Sequence, residues 1–404
     1  MLRGSVWDKA FFILYSIVVS ILYLLALPIL YFLSRKRAKY TDSIPARFFL
    51  NDNPPFAPNG VWFHSCSFGE ARAIYPIIDQ LPGEVLRLST TTQTGYEAIV
   101  AKQPQQSRYL PFEPLLFQWL QPQKVLIVME AEFWYLLFAL AHKRGAKTLL
   151  INARISERSY PKYKRVAWFY RRIFAHIDEV YAQSEVDKER LESLGATNVT
   201  VIGNIKLANI SSPSKELSKP RALLICAAST HEGEEELILE AYHAFKKENP
   251  DSRLTIVPRH PERFDEVTEM VARFAKEHRY TTHNFSDNEA FNSDIVVVDV
   301  LGELVNIYAI TDIVILGGAF EKLGGHNAAE AAQFGCKIVS GEHYFNQRDI
   351  FKMIEGISIT TSGNLARRLQ QHTQLIPTRI RQRTDIQPIL DSIQQALERD
   401  DTTS

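Results

Sequence analysis

Short apolar segments alternate with longer helix-forming segments along most of the chain, and this alternation predicts the fold. Residues 61–64 and 124–129 are typical: each is a run of apolar residues that a polar turn and a helix-forming stretch follow. Strands that are buried on both faces have continuous apolar sequences, and their alternation with helices is typical of a parallel sheet covered by helices. The alternation restarts after residue 222, so the sequence predicts an α/β fold with two Rossmann-like, doubly wound domains.

The predicted strands fall into two groups. The first group comprises residues 61–64, 85–88, 124–129, 148–151 and 179–182, and the second comprises 223–226, 254–257, 295–298 and 313–316. Predicted helices cover 70–81, 327–334 and 385–399, and two more begin near Gly95 and Glu132. Ligands of such sheets bind beyond the carboxyl ends of the strands, so the residues after each strand are the candidate site residues.

A long uncharged segment precedes the first strand. Residues 10–34 form a run of 25 residues without a charged side chain, long enough for a helix to cross a hydrocarbon core of about 30 Å. The basic residues around it are Arg35, Lys36, Arg37 and Lys39 on the C-terminal side and Arg3 and Lys9 on the N-terminal side. This bias predicts a membrane anchor with the rest of the chain in the cytoplasm. The alternative is a helix that lies in the membrane interface or against the protein, which Pro28 leaves open.

The predicted elements divide the 404 residues into five parts. They are a membrane anchor at 1–40, a first Rossmann-like domain at 41–207, a linker at 208–222, a second Rossmann-like domain at 223–355 and a helical tail at 356–404.

Charge and cysteine content exclude some classes of protein. The chain has 46 basic and 46 acidic residues, whereas a generic nucleic-acid binder has a basic excess. Cys66, Cys226 and Cys336 are widely spaced, which indicates neither a disulfide framework nor a zinc site. A reducing cytosolic setting is the simpler interpretation.

The glycine-rich stretch 317–330 follows the last predicted strand of the second half. It contains two pairs of glycines before the predicted helix 327–334. Glycines allow a close approach of the backbone to a ligand, and a helix N-terminus favours an anion such as a phosphate. Glu330 falls one turn after Asn327, where its carboxylate can accept hydrogen bonds from ribose hydroxyls. The alternative is a tight turn without a ligand.

Carboxylates follow two strands of the first half. Glu70 opens a helix just after strand 61–64 and is a candidate general base, or else an ordinary acidic residue of a first helical turn. Glu130 and Glu132 follow strand 124–129, where buried charge is costly without a function. Glu132 can be explained as the start of a helix, whereas Glu130 cannot.

Two further features leave alternatives open. Cys66 is a possible nucleophile with His64 on the same strand face, although a small buried residue is the simpler interpretation. Lys164, Trp168 and Arg172 recur at every fourth position within the basic, aromatic segment 159–176. Such a helical face suits an anionic membrane surface or a phosphorylated lipid, or else it is a solvated basic helix.

Polar residues also follow the strands of the second half. Arg259 comes directly after strand 254–257, where its guanidinium can hold a phosphate or a carboxylate. Residues 301–303 follow strand 295–298 in the same way. Packing alone does not require polar or glycine residues at so many strand ends.

A series of short motifs resembles the lipid A Kdo transferase family, in the same order along the chain. They lie at 64–70, 129–134, 152–156, 182–185, 203–206, 229–235, 257–264, 302–303, 324–330 and 345–346. The family transfers 3-deoxy-D-manno-octulosonic acid (Kdo) from CMP-Kdo to a lipid A precursor. The resemblance runs from the predicted anchor to about residue 355, and it implies a GT-B-like fold with an acceptor-binding first domain and a CMP-sugar-binding second domain.

The resemblance also implies roles for individual residues. Glu70 matches the proton acceptor of the family, and Glu130 and Lys206 match residues that stabilise the transition state. The implied contacts with CMP are Pro258, Arg259, Leu301, Gly302, Glu303, Asn327, Ala328, Ala329 and Glu330. This chain departs from the family where it has alanines at 328 and 329 in place of the common Pro-Leu, and Ala131 in place of Thr.

The implied function is that of an inverting glycosyltransferase in lipopolysaccharide core biosynthesis, with lipid IVA as acceptor. The implied partners are CMP-Kdo, the lipid A precursor and the inner membrane, and no nucleic acid, metal or other cofactor is expected. We expect domain closure to complete the site, because the base and the nucleotide contacts fall in different halves. The alternatives are a GT-B transferase that uses a nucleoside-diphosphate sugar, and a membrane-tethered sugar-nucleotide-binding protein without catalysis.

Overall fold

The computed structural model describes residues 6–36, 40–208, 210–381 and 384–398. The chain forms two compact units. Unit 1 comprises Met1–Ala208 and Arg383–Ser404, and unit 2 comprises Asn209–Gln382. Each unit contains its own seven-stranded sheet, which confirms the prediction of two doubly wound α/β domains.

The sheet of unit 1 is parallel throughout. Its strands are β1 Val61–Ser65, β2 Leu86–Thr90, β3 Ser107–Tyr109, β4 Val125–Met129, β5 Lys147–Ala153, β6 Glu179–Ala182 and β7 Val199–Val201. Their order across the sheet is β3-β2-β1-β4-β5-β6-β7. From β1 the chain first adds β2 and β3 on one side, and it then returns to add β4 to β7 on the other side. The crevice between β1 and β4 is therefore the topological switch point, where ligands of such folds bind.

Helices cover both faces of this sheet. They are α1 Val6–Lys36, α2 Ser43–Phe49, α3 Phe68–Ala73, α4 Tyr75–Ile78, α5 Gln93–Lys102, α6 Leu116–Trp119, α7 Tyr135–Lys143, α8 Tyr160–Arg165, α9 Ala167–Phe174 and α10 Glu185–Ser193. Trp62 of β1 packs into the core on one face, whereas its neighbours Val61 and Phe63 pack into the core on the other. Alternate residues of one strand are thus buried on opposite faces, which explains the continuous apolar sequences.

The sheet of unit 2 is also parallel. Its strands are β8 Leu224–Thr230, β9 Arg253–Pro258, β10 Thr282–Asn284, β11 Ile295–Val297, β12 Ile313–Leu316, β13 Lys337–Ser340 and β15 Ser358–Ile359, while β14 Ile354–Glu355 and β16 Arg379–Ile380 form a separate antiparallel pair. The order is β10-β11-β9-β8-β12-β13-β15, and the switch point lies between β8 and β12.

The remaining helices follow in chain order. They are α11 Glu234–Glu248, α12 Phe264–His278, α13 Leu304–Tyr308, α14 Ala329–Ala332, α15 Arg348–Lys352, α16 Leu365–Gln370 and α17 Gln387–Glu398. Single turns of 3-10 helix occur at Gly83–Val85, Pro104–Gln106, Glu113–Leu115, Ile205–Leu207, Pro261–Arg263, Ser362–Asn364 and His372–Gln374.

The C-terminal helix α17 returns to unit 1. Asp385 caps it by accepting a hydrogen bond from the Gln387 backbone at 2.9 Å, and Ile389 and Ile393 are fully buried in the core of unit 1. The predicted tail 356–404 is therefore divided: residues 356–381 belong to unit 2 and 384–398 to unit 1. Arg399, the predicted end of this helix, lies outside the described residues.

Three predicted helices differ from the structure. The helix predicted at 70–81 is two short helices, α3 and α4, because Pro76 lacks the N–H that a continuous helix requires. The helix predicted from Glu132 begins only at Tyr135. The helix predicted at 327–334 is reduced to the four residues of α14, and Gly335 with φ of +72° ends the turn that follows it.

The N-terminal helix α1 has 31 residues and contains Pro28. It is long and apolar enough to cross a membrane, which makes it a candidate membrane anchor. Arg3, Arg37 and Lys39, on which part of the predicted charge bias rests, lie outside the described residues. The segment predicted as one basic helix at 159–176 contains two helices, α8 and α9, with a break at Val166.

Candidate active site

The loops that carry Glu70 and Glu130 are neighbours at the switch point of unit 1. Glu70 follows β1 and Glu130 follows β4, and these two strands pair directly in parallel. Their carboxyl ends therefore lie at the same edge of the sheet, with the crevice between them. The negative charge of Glu130 contributes to the pKa of Glu70, which shows that the two carboxylates interact.

The carboxylate of Glu70 is held by the turn that starts α3. Ser67 is the N-cap residue, and its hydroxyl oxygen accepts a hydrogen bond from the Glu70 backbone at 3.3 Å. In return, one carboxylate oxygen of Glu70 accepts from the Ser67 hydroxyl at 2.9 Å and the other accepts from the Cys66 backbone N–H at 2.8 Å. This is a variant of the capping box. Each carboxylate oxygen keeps a lone pair that can accept a proton from a substrate.

Several effects act on the pKa of Glu70, and the net shift is upward. Burial is the largest cause, the charges of Glu130 and Glu132 act in the same direction, and the hydrogen bonds from Cys66 and Ser67 act against them. A general base works best when its pKa approaches the working pH. The direction of this shift therefore suits a carboxylate that takes a proton from a weakly acidic hydroxyl.

Glu130 is a nearly buried carboxylate with two cations around it. Its backbone has a φ of +55°, an uncommon conformation for a residue other than glycine, and its side chain is 12% exposed. Arg154 Nε lies 3.1 Å from one carboxylate oxygen, and Lys206 Nζ lies 3.2 Å from the other. The two cations offset the cost of burying this negative charge.

A hydrogen-bond network holds the turn of Lys206 against the ends of β5 and β6. The Asn152 side-chain oxygen accepts from the Ile205 backbone at 3.0 Å, and the Gln183 amide donates to the Asn152 backbone at 3.0 Å and accepts from Asn204 at 3.1 Å. The sequence analysis included Asn152 and Arg154 only as part of the motif 152–156 and assigned neither of them a role. Asn152 is near the end of β5 and Arg154 directly follows this strand, so the position of both at a strand end was visible in the sequence.

Neither Cys66 nor His64 is placed to act as a nucleophile pair. Burial is the main cause that raises the pKa of the Cys66 thiol to about 11, and its sulfur lies 2.9 Å from the Thr91 hydroxyl. Burial is also the main cause that lowers the pKa of His64 to about 3, and its Nδ1 lies 2.9 Å from the Ser89 hydroxyl. The interpretation of Cys66 as a small, partly buried residue therefore fits better.

Glu132 lies in the turn before α7, and it does not begin that helix. Its carboxylate accepts a hydrogen bond from the Trp134 indole N–H at 2.7 Å. The turn is tight, because the Trp134 backbone N–H also donates to the Glu132 carbonyl at 3.1 Å. Glu132 thus has a local partner, and it influences Glu70 only through its charge.

In unit 2, a buried carboxylate joins the loops at the switch point. Glu234, at the start of α11, is fully buried. It accepts hydrogen bonds from the backbone N–H groups of Gly318 at 2.8 Å, Phe320 at 3.1 Å and His231 at 3.1 Å. Gly317 is required by this close packing, since a Cβ there would lie 2.5 Å from the Ser229 carbonyl oxygen. The glycine-rich stretch is thus fixed to the loop after β8.

Asn327 and Glu330 lie together beside Arg259. The Asn327 side-chain oxygen accepts from the Ala329 backbone N–H at 3.0 Å. Burial raises the pKa of Glu330, while the positive charge of Arg259 and a hydrogen bond with Asn327 act against the rise. Ala328 and Ala329 are fully buried. Because α14 has only four residues, its dipole is small, and an anion here depends on Arg259 more than on the helix N-terminus that the sequence predicted.

Two histidines pair at the same place, and sequence reasoning did not predict this. The Nε2 atoms of His231 and His326 lie 2.8 Å apart, and their rings are stacked with centroids 5.1 Å apart. Burial, with the nearby charges of His231, Arg259 and His260, lowers the pKa of His326 to about 4. Burial also lowers the pKa of His231, so both rings favour the neutral form, in which one Nε2 can donate to the other.

The remaining predicted contacts follow β9 and β11, which are adjacent strands. Pro258 ends β9, and the exposed Arg259 comes next. Leu301 is 70% exposed, and Gly302 has a φ of +88°. Glu303 accepts from the Asn306 amide at 2.8 Å and lies 3.1 Å from Lys215 Nζ, so its carboxylate has structural partners within unit 2.

Within the described ranges, no group of three or more His, Cys, Asp or Glu side chains is arranged to hold a metal ion. The expectation that transfer needs no metal or other cofactor stays a prediction.

Two doubly wound domains in one chain, each with polar residues at the carboxyl ends of its strands, are the domain composition of GT-B-like glycosyltransferases. A family model described as 3-deoxy-D-manno-octulosonic-acid transferase (kdotransferase) matches residues 38–209. The chain is also 33% identical over 347 residues to the 3-deoxy-D-manno-octulosonic acid transferase of Haemophilus influenzae, an alignment that covers 80% of each chain. It therefore belongs to the Kdo transferase family, and it is a glycosyltransferase.

Other relatives agree with this assignment. The 3-deoxy-D-manno-octulosonic acid transferase of Bordetella pertussis is 31% identical over 313 residues, which is 72% of each chain. Among solved structures, the C-terminal CMP-Kdo binding domain of WaaA from Acinetobacter baumannii is 24% identical and aligns with 44% of this chain and 88% of its own length, at a TM-score of 0.34. That superposition is loose, and the family assignment rests on the sequence matches.

Proposed function

We propose that this chain transfers Kdo from CMP-Kdo to a hydroxyl of a lipid A precursor, lipid IVA, with inversion at the anomeric carbon. The observation that carries the proposal is the position of Glu70 at the switch point of unit 1, with a pKa that burial raises. The family assignment supports the sugar, and the two alternative functions are outcomes of the test below.

In the proposed reaction, the Glu70 carboxylate takes the proton of the acceptor hydroxyl. The hydroxyl oxygen forms a bond to the anomeric carbon of Kdo as the bond from that carbon to the phosphate oxygen breaks. CMP leaves from the opposite face with the electron pair of that bond. General base catalysis of this kind contributes about 10² to 10⁴ in rate.

Glu130 and Lys206 act on the charges of the transition state. The anomeric carbon gains positive character as CMP departs, and an ionised carboxylate such as Glu130 stabilises it. Lys206 holds the Glu130 carboxylate in place through their 3.2 Å contact. Arg154 also holds the Glu130 carboxylate in place, through its contact with the other carboxylate oxygen.

Unit 2 binds the donor nucleotide in this proposal. The Glu330 carboxylate accepts hydrogen bonds from the ribose hydroxyls, and the Arg259 guanidinium neutralises the phosphate. Pro258, Leu301 to Glu303 and the backbone at 327–329 complete the CMP contacts. CMP carries a single phosphate, so its departure requires less neutralising charge than that of a nucleoside diphosphate, and we expect no metal requirement.

We also propose that the protein acts at the inner membrane, with both units on its cytoplasmic side. The long apolar helix α1 supports attachment to a membrane. The basic residues Arg35 and Lys36, which follow its apolar part, support the cytoplasmic side, because the negative surface potential of that leaflet attracts basic residues. A lipid acceptor requires such an attachment, because the precursor itself is confined to a bilayer.

Mass spectrometry of lipid A precursor incubated with purified protein tests the proposal. With CMP-Kdo, we expect the precursor to gain the mass of Kdo, and the Glu70→Gln variant to lose most of this activity. Glu192→Gln serves as the matched control, because it removes an exposed carboxylate on α10 of unit 1. Transfer from a UDP-sugar alone would support the first alternative, and donor binding without any transfer would support the second.

A further inference from the structure

One side of α1 is protected from Phe11 to Ser34. The protected positions recur every three or four residues: Phe11, Phe12, Tyr15, Ser16, Val19, Ser20, Tyr23, Ala26, Leu27, Leu30, Leu33 and Ser34. This spacing places them on one face of a helix. From Phe11 to Ser34, at about 1.5 Å per residue, that face is about 35 Å long.

The first half of this face packs on the helices of unit 1 through aromatic rings. Phe11 contacts Tyr135 and Trp168 at centroid distances of 5.2 and 6.0 Å. Tyr15 contacts Tyr135 at 4.9 Å and Phe169 at 5.8 Å. Such ring pairs stabilise a defined arrangement, so α1 is docked on α7 and α9.

A buried hydrogen bond fixes this docking. The Tyr15 hydroxyl donates to one carboxylate oxygen of Glu113 at 2.7 Å. Glu113 is 4% exposed, and its other oxygen accepts from the Leu136 backbone N–H at 2.7 Å. A buried carboxylate depends on its donors, so the position of Tyr15 is part of the structure of unit 1.

The second half of α1 is docked as well. The Tyr23 hydroxyl donates to the Phe48 carbonyl at 2.5 Å, and Leu30 and Leu33 line a cavity of about 500 Å³ that also borders Thr92. The Thr92 hydroxyl donates to the Cys66 carbonyl at 2.7 Å, in the loop that carries Glu70. The helix thus shares a cavity with Thr92, which bonds to the loop of the candidate base.

The opposite face of α1 is apolar and exposed. Its large side chains are Ile13, Leu14, Ile17, Val18, Ile21, Leu22, Leu24, Leu25, Ile29, Tyr31 and Phe32, each at least 45% exposed. No charged residue interrupts this face between positions 10 and 34. An apolar strip of this length marks a contact surface.

Cationic and aromatic groups border this strip at both ends. Arg172 lies over the ring of Phe11 at 4.7 Å, and Lys36 lies over the ring of Phe32 at 4.3 Å. Trp168, beside Phe11, is 53% exposed, and α8 presents the exposed side chains of Lys162 and Lys164 nearby in the chain. Basic and indole groups at the edge of an apolar surface suit the headgroup layer of an anionic bilayer.

We propose that α1 does not cross the membrane, and that it lies in the plane of an anionic bilayer with its exposed apolar face among the acyl chains. A crossing helix must have hydrocarbon or membrane-embedded protein around it for about 30 Å. The protected face is occupied by unit 1 over that whole length, and crossing would carry Arg172 and Glu113 into the hydrocarbon. The bilayer surface then lies on the side of unit 1 where α1 and Thr92 line a common cavity, and Thr92 connects that side to the loop of Glu70.

Thiol labelling at the two ends of α1 tests this orientation. Lys9→Cys and Lys36→Cys replace exposed residues on either side of the apolar segment. In inverted inner-membrane vesicles of the full chain, we expect a membrane-impermeant maleimide to label both positions from outside. Labelling of only one of them would overturn the proposal. The unsubstituted chain gives the background from Cys66, Cys226 and Cys336.

Depth measurements provide a second readout. A fluorophore at Leu14, Leu22 or Ile29, all on the exposed face, is tested in vesicles that contain phosphatidylglycerol with bromines at defined depths. An in-plane helix predicts the same shallow depth at all three positions. A crossing helix predicts Leu22 deepest, with the other two about 10 Å shallower, and the absence of quenching would also contradict the proposal. Neither experiment requires sugar transfer, so the two proposals fail independently.

Discussion

Lys206 Nζ lies 3.2 Å from the Glu130 carboxylate, although 76 positions separate the two residues in the chain. The contact joins the 3-10 turn after β7 to the end of β4. Arg154 reaches the other oxygen of the same carboxylate. Positive charge from two elements therefore converges on one carboxylate beside the candidate base.

Replacing Lys206 by Met tests the role of this contact. We expect kcat to fall by about 10² to 10³, the loss typical of removing one electrostatic stabiliser of a transition state. The Kd of CMP should change little, because the nucleotide contacts belong to unit 2. Steady-state kinetics and calorimetry with CMP measure the two effects. Lys102→Met, which breaks the ion pair with Asp79 on the surface of unit 1, is the control and should retain activity.

The pH profile of transfer reports on Glu70. A general base must be deprotonated, so kcat/KM should rise with pH through the pKa of Glu70 and fall as pH decreases below it. Burial raises that pKa, so the acid limb should lie above the ordinary carboxyl value of 4.5. Glu132→Gln removes one of the negative charges that raise it, and should move the limb to lower pH. An unmoved limb in this variant would mean that the charge of Glu132 does not reach the base.

Arg259→Ala tests the donor site of unit 2. Loss of a charge-assisted hydrogen bond costs about 1.5 to 3 kcal/mol, so the Kd of CMP should increase about 10- to 150-fold. Isothermal titration calorimetry measures this change. Arg273→Ala, an exposed substitution on α12, should leave the Kd as it is. If the Arg259 variant and the unsubstituted protein have the same Kd for CMP, Arg259 does not bind the nucleotide.

Tyr15→Phe tests the docking of α1. The substitution keeps the ring contacts and removes the donor to the buried Glu113, which should cost about 1 to 3 kcal/mol of stability. Thermal unfolding in detergent micelles measures the loss. Tyr31→Phe is the matched control, because Tyr31 is 51% exposed and its substitution should change little. Similar melting temperatures for both variants would show that the Tyr15 hydrogen bond does not stabilise unit 1.

Much of the fold could be predicted from the sequence, because strands buried on both faces have continuous apolar sequences. The same strands identified Glu70 and Glu130 as candidates. Ligands bind beyond the carboxyl ends of parallel strands, so the positions of β1 and β4 were sufficient to select these two residues. Their functional roles stay predictions. Helix lengths were harder to predict, as Pro76 and Gly335 show: local breaks and tertiary packing end helices that propensity alone would continue.

Contacts between distant residues could not be predicted. His231 and His326 are 95 positions apart, and only the pairing of β8 with β12 brings their loops together. The docking of α1 is a similar case. The composition of α1 suits a membrane-crossing helix. Which of its faces is covered depends on residues elsewhere in unit 1, namely Tyr135, Glu113 and Phe48.

The base role of Glu70 is tested most directly by the single-turnover rate of Kdo transfer to lipid A precursor in the Glu70→Gln variant. Mass spectrometry measures the product, with saturating CMP-Kdo and with CMP affinity determined in parallel. If Glu70 is the general base, the rate falls at least about 10² below that of the unsubstituted protein, with an unchanged Kd for CMP. A variant that transfers Kdo at the full rate would contradict this role of Glu70.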